Sequence, residues 1–348
     1  MHVFIAGAGP VGLSAAIALI GRGHRVTIAD RDPGITDESR AVAVNHNSLT
    51  LLAPSGAAQR ILETGQRVRR VRIMRDGAVL SRIKVPGQDR RWPTMVALPQ
   101  SATEGIMAEV LARIGGSVRW NTELKTITQS DRGVSATLAD RETGETSAVE
   151  ADFALGAEGS HSATRTALGI AFEGRVLPND WSLADITCDW PYEEDACAVL
   201  GERGEINFFI TLGNGRFRAI GNHPDVLGVA RGMMNVREVH WANPFTVNLR
   251  VAAAMGRGRI AIAGDAAHTH SPVGGQGMNL GIADAFSFAD AADEGDLAPY
   301  FAARPRHARR IVGGTDRAYR LLSSTSPAAR LARDTLLRGA GVVTRLLI

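Results

Sequence analysis

The chain has 348 residues, 45% of them hydrophobic and 22% charged, with a net charge of +3 from 39 basic and 36 acidic side chains. That length can bury a large core and support two domains, and the composition is ordinary for a water-soluble globular protein. The small charge excess gives no argument for nucleic acid, and the two cysteines, Cys188 and Cys197, form no C-x-x-C pair, so neither a redox disulfide nor a zinc site is indicated.

Residues 2–6 (HVFIA) form a short apolar run that begins at once and reads as a buried strand. Gly7-Ala8-Gly9-Pro10-Val11-Gly12 follows, and residues 13–21 are small and apolar, as a helix packed on a sheet would be. A second strand is expected over residues 25–29, ending at Asp30. After an irregular stretch over 31–39 and Arg40, helices are expected over 47–53 and 57–63, separated by Pro54-Ser55-Gly56. Residues 68–85 interleave apolar and charged side chains around Asp76-Gly77, the pattern of a hairpin with one wet face. Helical spacing returns over 100–113, and short strands follow at 118–120, 124–129, 134–138, 148–150 and 152–155.

From Phe172 to about Arg257 the chain is again β-rich, with strands at 181–190, 206–212, 216–220 and 246–251 and a strong hairpin signal at Asn214-Gly215. Together with residues 68–97 this region is expected to form one separate sheet. Residues 259–263 read as a buried strand that ends in Gly264-Asp265, followed by a glycine-rich turn and a helix over 277–293. The tail from Pro299 is helical, with Pro305 expected to limit its first helix and Arg304, Arg306, Arg309 and Arg310 on a solvated face. No stretch is long and apolar enough to span a membrane, and the start of the chain lacks a basic leader, so a cytoplasmic protein is expected.

The opening strand, G-x-G-x-x-G and helix carry specific chemistry. The first glycine permits the tight turn, the second lets a pyrophosphate approach the backbone, and the third lets helix and strand pack closely. The helix start offers free N–H groups and a positive dipole end to phosphates. Asp30, eighteen residues after Gly12, stands where an acid would bond a ribose 2′-OH. A glycine-rich turn of an ordinary α/β protein is the alternative. Asp265 ends a strand, where α/β sheets place their ligands, and its carboxylate can accept bonds from ribityl or ribose hydroxyls. Gly277, Met278 and Asn279 begin a helix whose N–H groups point at something electron-rich.

Three motifs in this order, GAGPVG, GAEGSHSATR and GDAAHTHSPVGGQGMN, resemble those of the class A flavoprotein monooxygenases, the p-hydroxybenzoate and phenol hydroxylase group. Arg40 in SRAVAV and Gln100 in LPQS also match family positions, and the resemblance covers nearly the whole chain. It implies an α/β fold: a Rossmann-type, glutathione-reductase-like FAD-binding domain (residues 1–66, 98–171 and 257–348) interleaved with a β-sheet-rich substrate domain (67–97 and 172–256). It implies that Gly7, Gly9, Gly12 and Asp30 hold the ADP half of FAD, with Arg31 beside the adenosine. Arg40 and Gln100 would contact the pyrophosphate and ribityl region, Asp265 the ribityl chain or pyrophosphate. Pro272 would line the flavin's reactive face, and Gly277, Met278 and Asn279 would support its N1/O2 edge.

Two features depart from the family pattern. Glu158-Gly159 stands where the family has Asp-Gly, and the longer side chain would re-aim contacts to FAD or NAD(P)H; Arg165 is present as the motif expects. Residues 222–237 are a shorter connection than family members carry, so a trimmed substrate cover and a more open pocket are expected, with no extra C-terminal domain.

The implied activity is hydroxylation of an aromatic or polyketide-like small molecule with NAD(P)H and O2, through an oxygen adduct at flavin C4a. No second strand–G-x-G-x-x-G–helix unit exists, which argues against a separate nicotinamide domain; the resemblance implies instead that NAD(P)H docks transiently on the FAD domain. A reductase or dehydrogenase acting on a C=C bond, and a flavin-binding module without turnover, remain open on the same scaffold. The expected partners are small molecules alone, with no nucleic acid, no membrane and no metal, in a monomer or homodimer. The residues name no catalytic acid or base among His46, His223, His240, His268 and His270. Trp92, Phe208, Phe209 and Trp241 are candidates for pocket lining or for core.

Overall fold

The structure, a computed structural model, describes residues 1–36, 41–75, 77–87, 89–178 and 180–338. Arg40 and Asp76 lie outside the described residues.

The opening strand His2–Ala6 sits in the middle of a six-stranded sheet ordered Gly256–Arg257, Ile260–Ile262, Phe153–Gly156, His2–Ala6, Arg25–Ala29, Val118–Arg119. Every pairing is parallel except that of the edge strand Gly256–Arg257. Its central strands are near-continuous apolar runs because both faces are covered. On one face lie the helices Pro10–Ile20, Gln100–Arg113 and Gly277–Asp293, whose Leu13, Ile17, Met107, Val110, Ile282 and Phe288 share one buried core. The other face meets an antiparallel sheet of Thr122–Ser130, Gly133–Asp140 and Thr146–Ala151, packed through Ile127, Val134 and Leu138.

Gly12 allows the close helix–strand approach: a Cβ there would lie 1.8 Å from the Gly7 carbonyl oxygen. Gly7 itself has φ +96°, and a Cβ on it would meet the Ala157 carbonyl at 2.4 Å.

The second large sheet has seven strands in the order Asn235–Phe245, Trp181–Asp189, Arg216–Gly221, Ile206–Gly213, Asp195–Leu200, Arg70–Arg75, Ala78–Lys84. The early hairpin joins the later strands through one parallel pairing, Asp195–Leu200 with Arg70–Arg75. Period-2 alternation splits its side chains. Phe209, Cys197 and Phe217 face a core closed by the helix Val226–Met233, while Phe208, Ile210, Ile220 and Leu183 face the opposite side. Burial raises both cysteine thiols, Cys188 to about 11 and Cys197 to about 12, so neither is a reactive thiolate.

Several expectations need correction. The strands Phe172–Val176 and Asn248–Ala252 are outside the seven-stranded sheet; they pair with each other, and Asn248–Ala252 also pairs with His268–Thr269 of the third motif. Met95–Ala97 pairs with Ala43–Asn45 and Gln66–Arg67. Pro305 does not limit a helix, for Ala298–Leu322 runs through it. It falls in the second turn, where the missing N–H removes one bond and both neighbouring turns pack on the core. Arg304 does not belong to a solvated face; it reaches the buried Asp284. Among the described residues, no helix is long and apolar enough to cross a membrane.

Candidate functional site

Parallel pairing of adjacent strands places the three sequence motifs side by side. The strands Ile260–Ile262, Phe153–Gly156, His2–Ala6 and Arg25–Ala29 all end at one sheet edge, so the turns that follow them converge. Backbone bonds tie those turns together: Gly7 N–H to Ala29 O at 2.8 Å, Ala157 N–H to Ala6 O at 2.7 Å, and Ala263 N–H to Gly156 O at 3.0 Å. Arg165, buried under the Phe172 ring, donates to Ala266 O of the third motif and Ser160 O of the second.

A cavity of about 650 Å³ opens at this edge. Gly7, Gly9, Asp30, Arg31, Gln100, Glu158, Asp265, Pro272, Gly277 and Met278 line it; Gly12 lies beneath the loop and Asn279 behind the helix start. At Gly9 an added Cβ would meet nothing nearer than Glu104 Oε1 at 3.8 Å, so the cavity reaches the bare loop backbone. Asp30 accepts from Ala8 N–H at 2.6 Å and from Asp32 N–H at 2.9 Å, holding the loop to the second strand. Gln100 links the Ala41 N–H to Glu104.

Asp265 is exposed in the cavity wall, and no donor among the described residues reaches its carboxylate. The first N–H groups of the helix Gly277–Asp293, at Gly277, Met278 and Asn279, have no carbonyl partner within the helix. The Asn279 side chain is not available to a ligand. Its Oδ1 accepts from Asn45 N–H and Ser48 Oγ–H, and its Nδ2 donates to Ala43 O and Gly275 O. Its work is to fix the helix start against the strand Ala43–Asn45. Glu158 is likewise occupied: Oε1 accepts from Thr164 N–H and Oγ–H, Oε2 from Ser162 Oγ–H. The extra methylene that distinguishes it from aspartate spans its own turn.

A buried network braces the third motif from behind. Asp284 bonds His268 Nε2 at 2.5 Å, Arg304 Nε at 2.6 Å and Gly264 N–H at 3.1 Å. Burial alone would raise its carboxyl; the His268 ring and Arg304 hold it below the ordinary carboxylate value. Among the other histidines, His46 bonds Trp92 O, His223 bonds Asn207, and His240 bonds Thr187. His270 lines the cavity, and its pKa is lowered, first by burial. Its Nδ1 lies 2.7 Å from Ser271 O and so carries the proton, while Nε2 is buried without a partner among the described residues. Of the candidate aromatics, Phe208 lines the cavity and Phe209 packs in the core behind it.

Glu104, which pattern reading missed, stands behind the glycine loop and outside the cavity lining, its Oε1 accepting from Gln100 and lying 3.8 Å from where a Cβ on Gly9 would be. It is buried, and burial, opposed by its bond to Gln100 and aided by the charge of Asp30, raises its carboxyl to about 7. The available signal was an acid four residues after Gln100, on the buried side of a helix.

Residues 1–214 and 230–295 match the family described as the FAD binding domain. The chain is 33% identical to 6-methylpretetramide 4-monooxygenase of Streptomyces rimosus over 95% of this chain and 62% of that protein. It is 30% identical to rifampicin monooxygenase of Streptomyces venezuelae over 95% of this chain and 73% of that one. The chain thus spans less than two thirds of the length of the pretetramide enzyme. Among solved structures, p-nitrophenol 4-monooxygenase PnpA from Pseudomonas putida DLL-E4 shares the fold, with a TM-score of 0.88 at 24% identity, covering 99% of this chain and 95% of that one.

Proposed function

This chain belongs to the FAD-binding family of the class A flavoprotein monooxygenases, and on that premise we propose that it hydroxylates an aromatic or polyketide-like small molecule with NAD(P)H and O2. When bound, FAD supplies the redox chemistry, taking two electrons from NAD(P)H and passing one atom of O2 to the substrate while the other leaves as water.

The cavity suits that cofactor. The bare backbone at Gly9 leaves room for a pyrophosphate, and Asp30 and Arg31 stand where the ribose and adenosine would lie. Arg31 is exposed and Gln100 half-buried, so both side chains remain within reach of a ligand at the cavity wall. The unpartnered Asp265 carboxylate would accept from ribityl hydroxyls. The N–H groups of Gly277, Met278 and Asn279, at a positive helix end, would hold the electron-rich edge of the flavin and favour negative charge there. Pro272, which has no N–H to offer, would form a wall beside the ring system, and the apolar strands opposite would exclude water.

The observation that carries this reading is the convergence of three turns, distant in sequence, on one cavity at the carboxyl edge of parallel strands. Purified protein titrated with FAD should bind it, and a screen of phenols and quinones should find compounds that stimulate NAD(P)H consumption, with isotope from labelled oxygen in the product. Stimulated consumption without labelled product would favour the reductase reading instead. Asp265→Ala should weaken FAD binding about tenfold or more, since a lost charge-assisted bond is worth roughly 1.5–3 kcal/mol. Flavin fluorescence titration reads this directly, and an unchanged affinity would remove Asp265 from the site.

A further inference from the structure

The cavity has two chemically distinct walls. Its ionisable lining residues, among them Asp30, Arg31, Asp32, Glu158 and Asp265, come from the turns and hairpin around the six-stranded sheet. The seven-stranded sheet contributes Val71, Ala196, Phe208, Ile210, Ile220 and Phe245. Among the described residues, no charged side chain of that sheet lines the cavity.

The cation nearest in register is Arg218, opposite Ile210 and two residues from Ile220. It is 1% exposed and already committed: Nε and Nη2 donate to the two oxygens of Asp185 at 2.7 and 2.8 Å, and Nη1 donates to Ala41 O at 3.0 Å. An anionic substrate pressed against this wall would therefore lose its hydration without gaining a counter-charge. A flat uncharged ring would instead gain apolar contact and the faces or edges of Phe208 and Phe245.

We propose that the seven-stranded sheet selects an uncharged aromatic substrate, a phenol or fused-ring phenol, and discriminates against aromatic carboxylates of the same size. This rests on the monooxygenase reading given above and narrows its substrate class. Apolar shape does the selecting, with no charged side chain on that sheet, among the described residues lining the cavity, to meet a carboxylate.

The test uses a matched pair, 2-naphthol and 6-hydroxy-2-naphthoate, near neutral pH, where the first is uncharged and the second ionised. Each is titrated into the FAD-loaded protein by flavin absorbance and into the FAD-free protein by tryptophan fluorescence, so the preference is read whether or not FAD loads. The naphthol is expected to bind about tenfold or more tightly than the naphthoate. Ile210→Arg should narrow or reverse that ratio, with Phe208→Lys as the second variant should the first fail to fold. Equal or tighter binding of the naphthoate, or no binding of either, overturns the proposal. Naphthoate-stimulated NAD(P)H consumption with oxygen incorporation would overturn it while leaving the monooxygenase reading intact, whereas a failure to take up FAD would strike that reading and leave the naphthol preference to stand or fall on the tryptophan signal.

Discussion

Glu104 shows how a single side chain can carry a pH dependence that the glycine loop beside it does not display. Its carboxyl is raised from 4.5 to about 7, chiefly by burial. An acid whose folded value is raised binds more protons in the folded state, so its contribution falls as pH rises from the unfolded value to the folded one. Between about pH 4.5 and 7 the chain should therefore lose stability on this account, by an amount on the order of 3 kcal/mol. Glu104→Gln keeps the bond to Gln100 possible and removes the titration. The variant should be more stable than the parent above neutral pH and little different below the unfolded value, as read by denaturant unfolding at two pH values. The same side chain marks a limit of sequence reading: the glycines announce themselves by spacing, but an acid on a buried helix face looks like any solvated one until the fold shows what covers it. Glu158 is the converse case. Its departure from the family's aspartate stands out in the sequence, yet only the fold turns its two oxygens to Ser162 and Thr164.

At the scale of elements, the helix Gly277–Asp293 is held at two points, Asn279 near its start and Asp284 two turns in. Asp284 lines no part of the cavity, but it bonds the N–H of Gly264, the residue before Asp265, and so positions the third turn. Asp284→Asn should destabilise the fold by roughly 3–5 kcal/mol, because Arg304 and His268 lose their carboxylate in a dry site. FAD affinity should fall with it, although the substituted residue touches no ligand; calorimetric FAD titration of the folded fraction measures this. Because the carboxyl's folded value is depressed, its stabilisation is present above the ordinary carboxylate value and is lost as pH falls through the folded one. The glycine-rich turn before it made this helix readable, with bounds of 277–293 in both sequence and structure. The helix Val226–Met233 and the strand Asp195–Leu200 are not legible in the sequence. The edge strand Asn235–Phe245 carries charges and Pro244, which blur the alternation that marks a strand.

Over the whole molecule, what the sequence conveyed was that three turns each follow a strand; what it withheld was the strand order that makes them neighbours. Order is a property of long-range pairing, which leaves no local trace in composition or period. The seven-stranded sheet depends on such a pairing, since the early strand Arg70–Arg75 meets Asp195–Leu200 across more than a hundred residues. Asp195 seals that junction. It is fully buried, bonds Arg70 Nε at 2.7 Å and also Arg72, whose guanidinium lies over the Tyr192 ring. Replacing it with Asn would leave two guanidinium groups short of a shared carboxylate at the one parallel seam of the sheet, a loss of roughly 3–5 kcal/mol by analogy with other broken buried pairs. The damage should be uneven. Val71 and Ala196, paired across the seam, line the apolar wall of the cavity, whereas the glycine loop, Asp265 and the helix start at Gly277 belong to the other sheet and its turns. Asp195→Asn should therefore weaken binding of an aromatic probe more than it weakens binding of FAD, and parallel titrations of the two ligands into the variant would reveal it. Equal losses for both would mean that the two sheets respond as one rigid body around the cavity and do not form separately anchored walls.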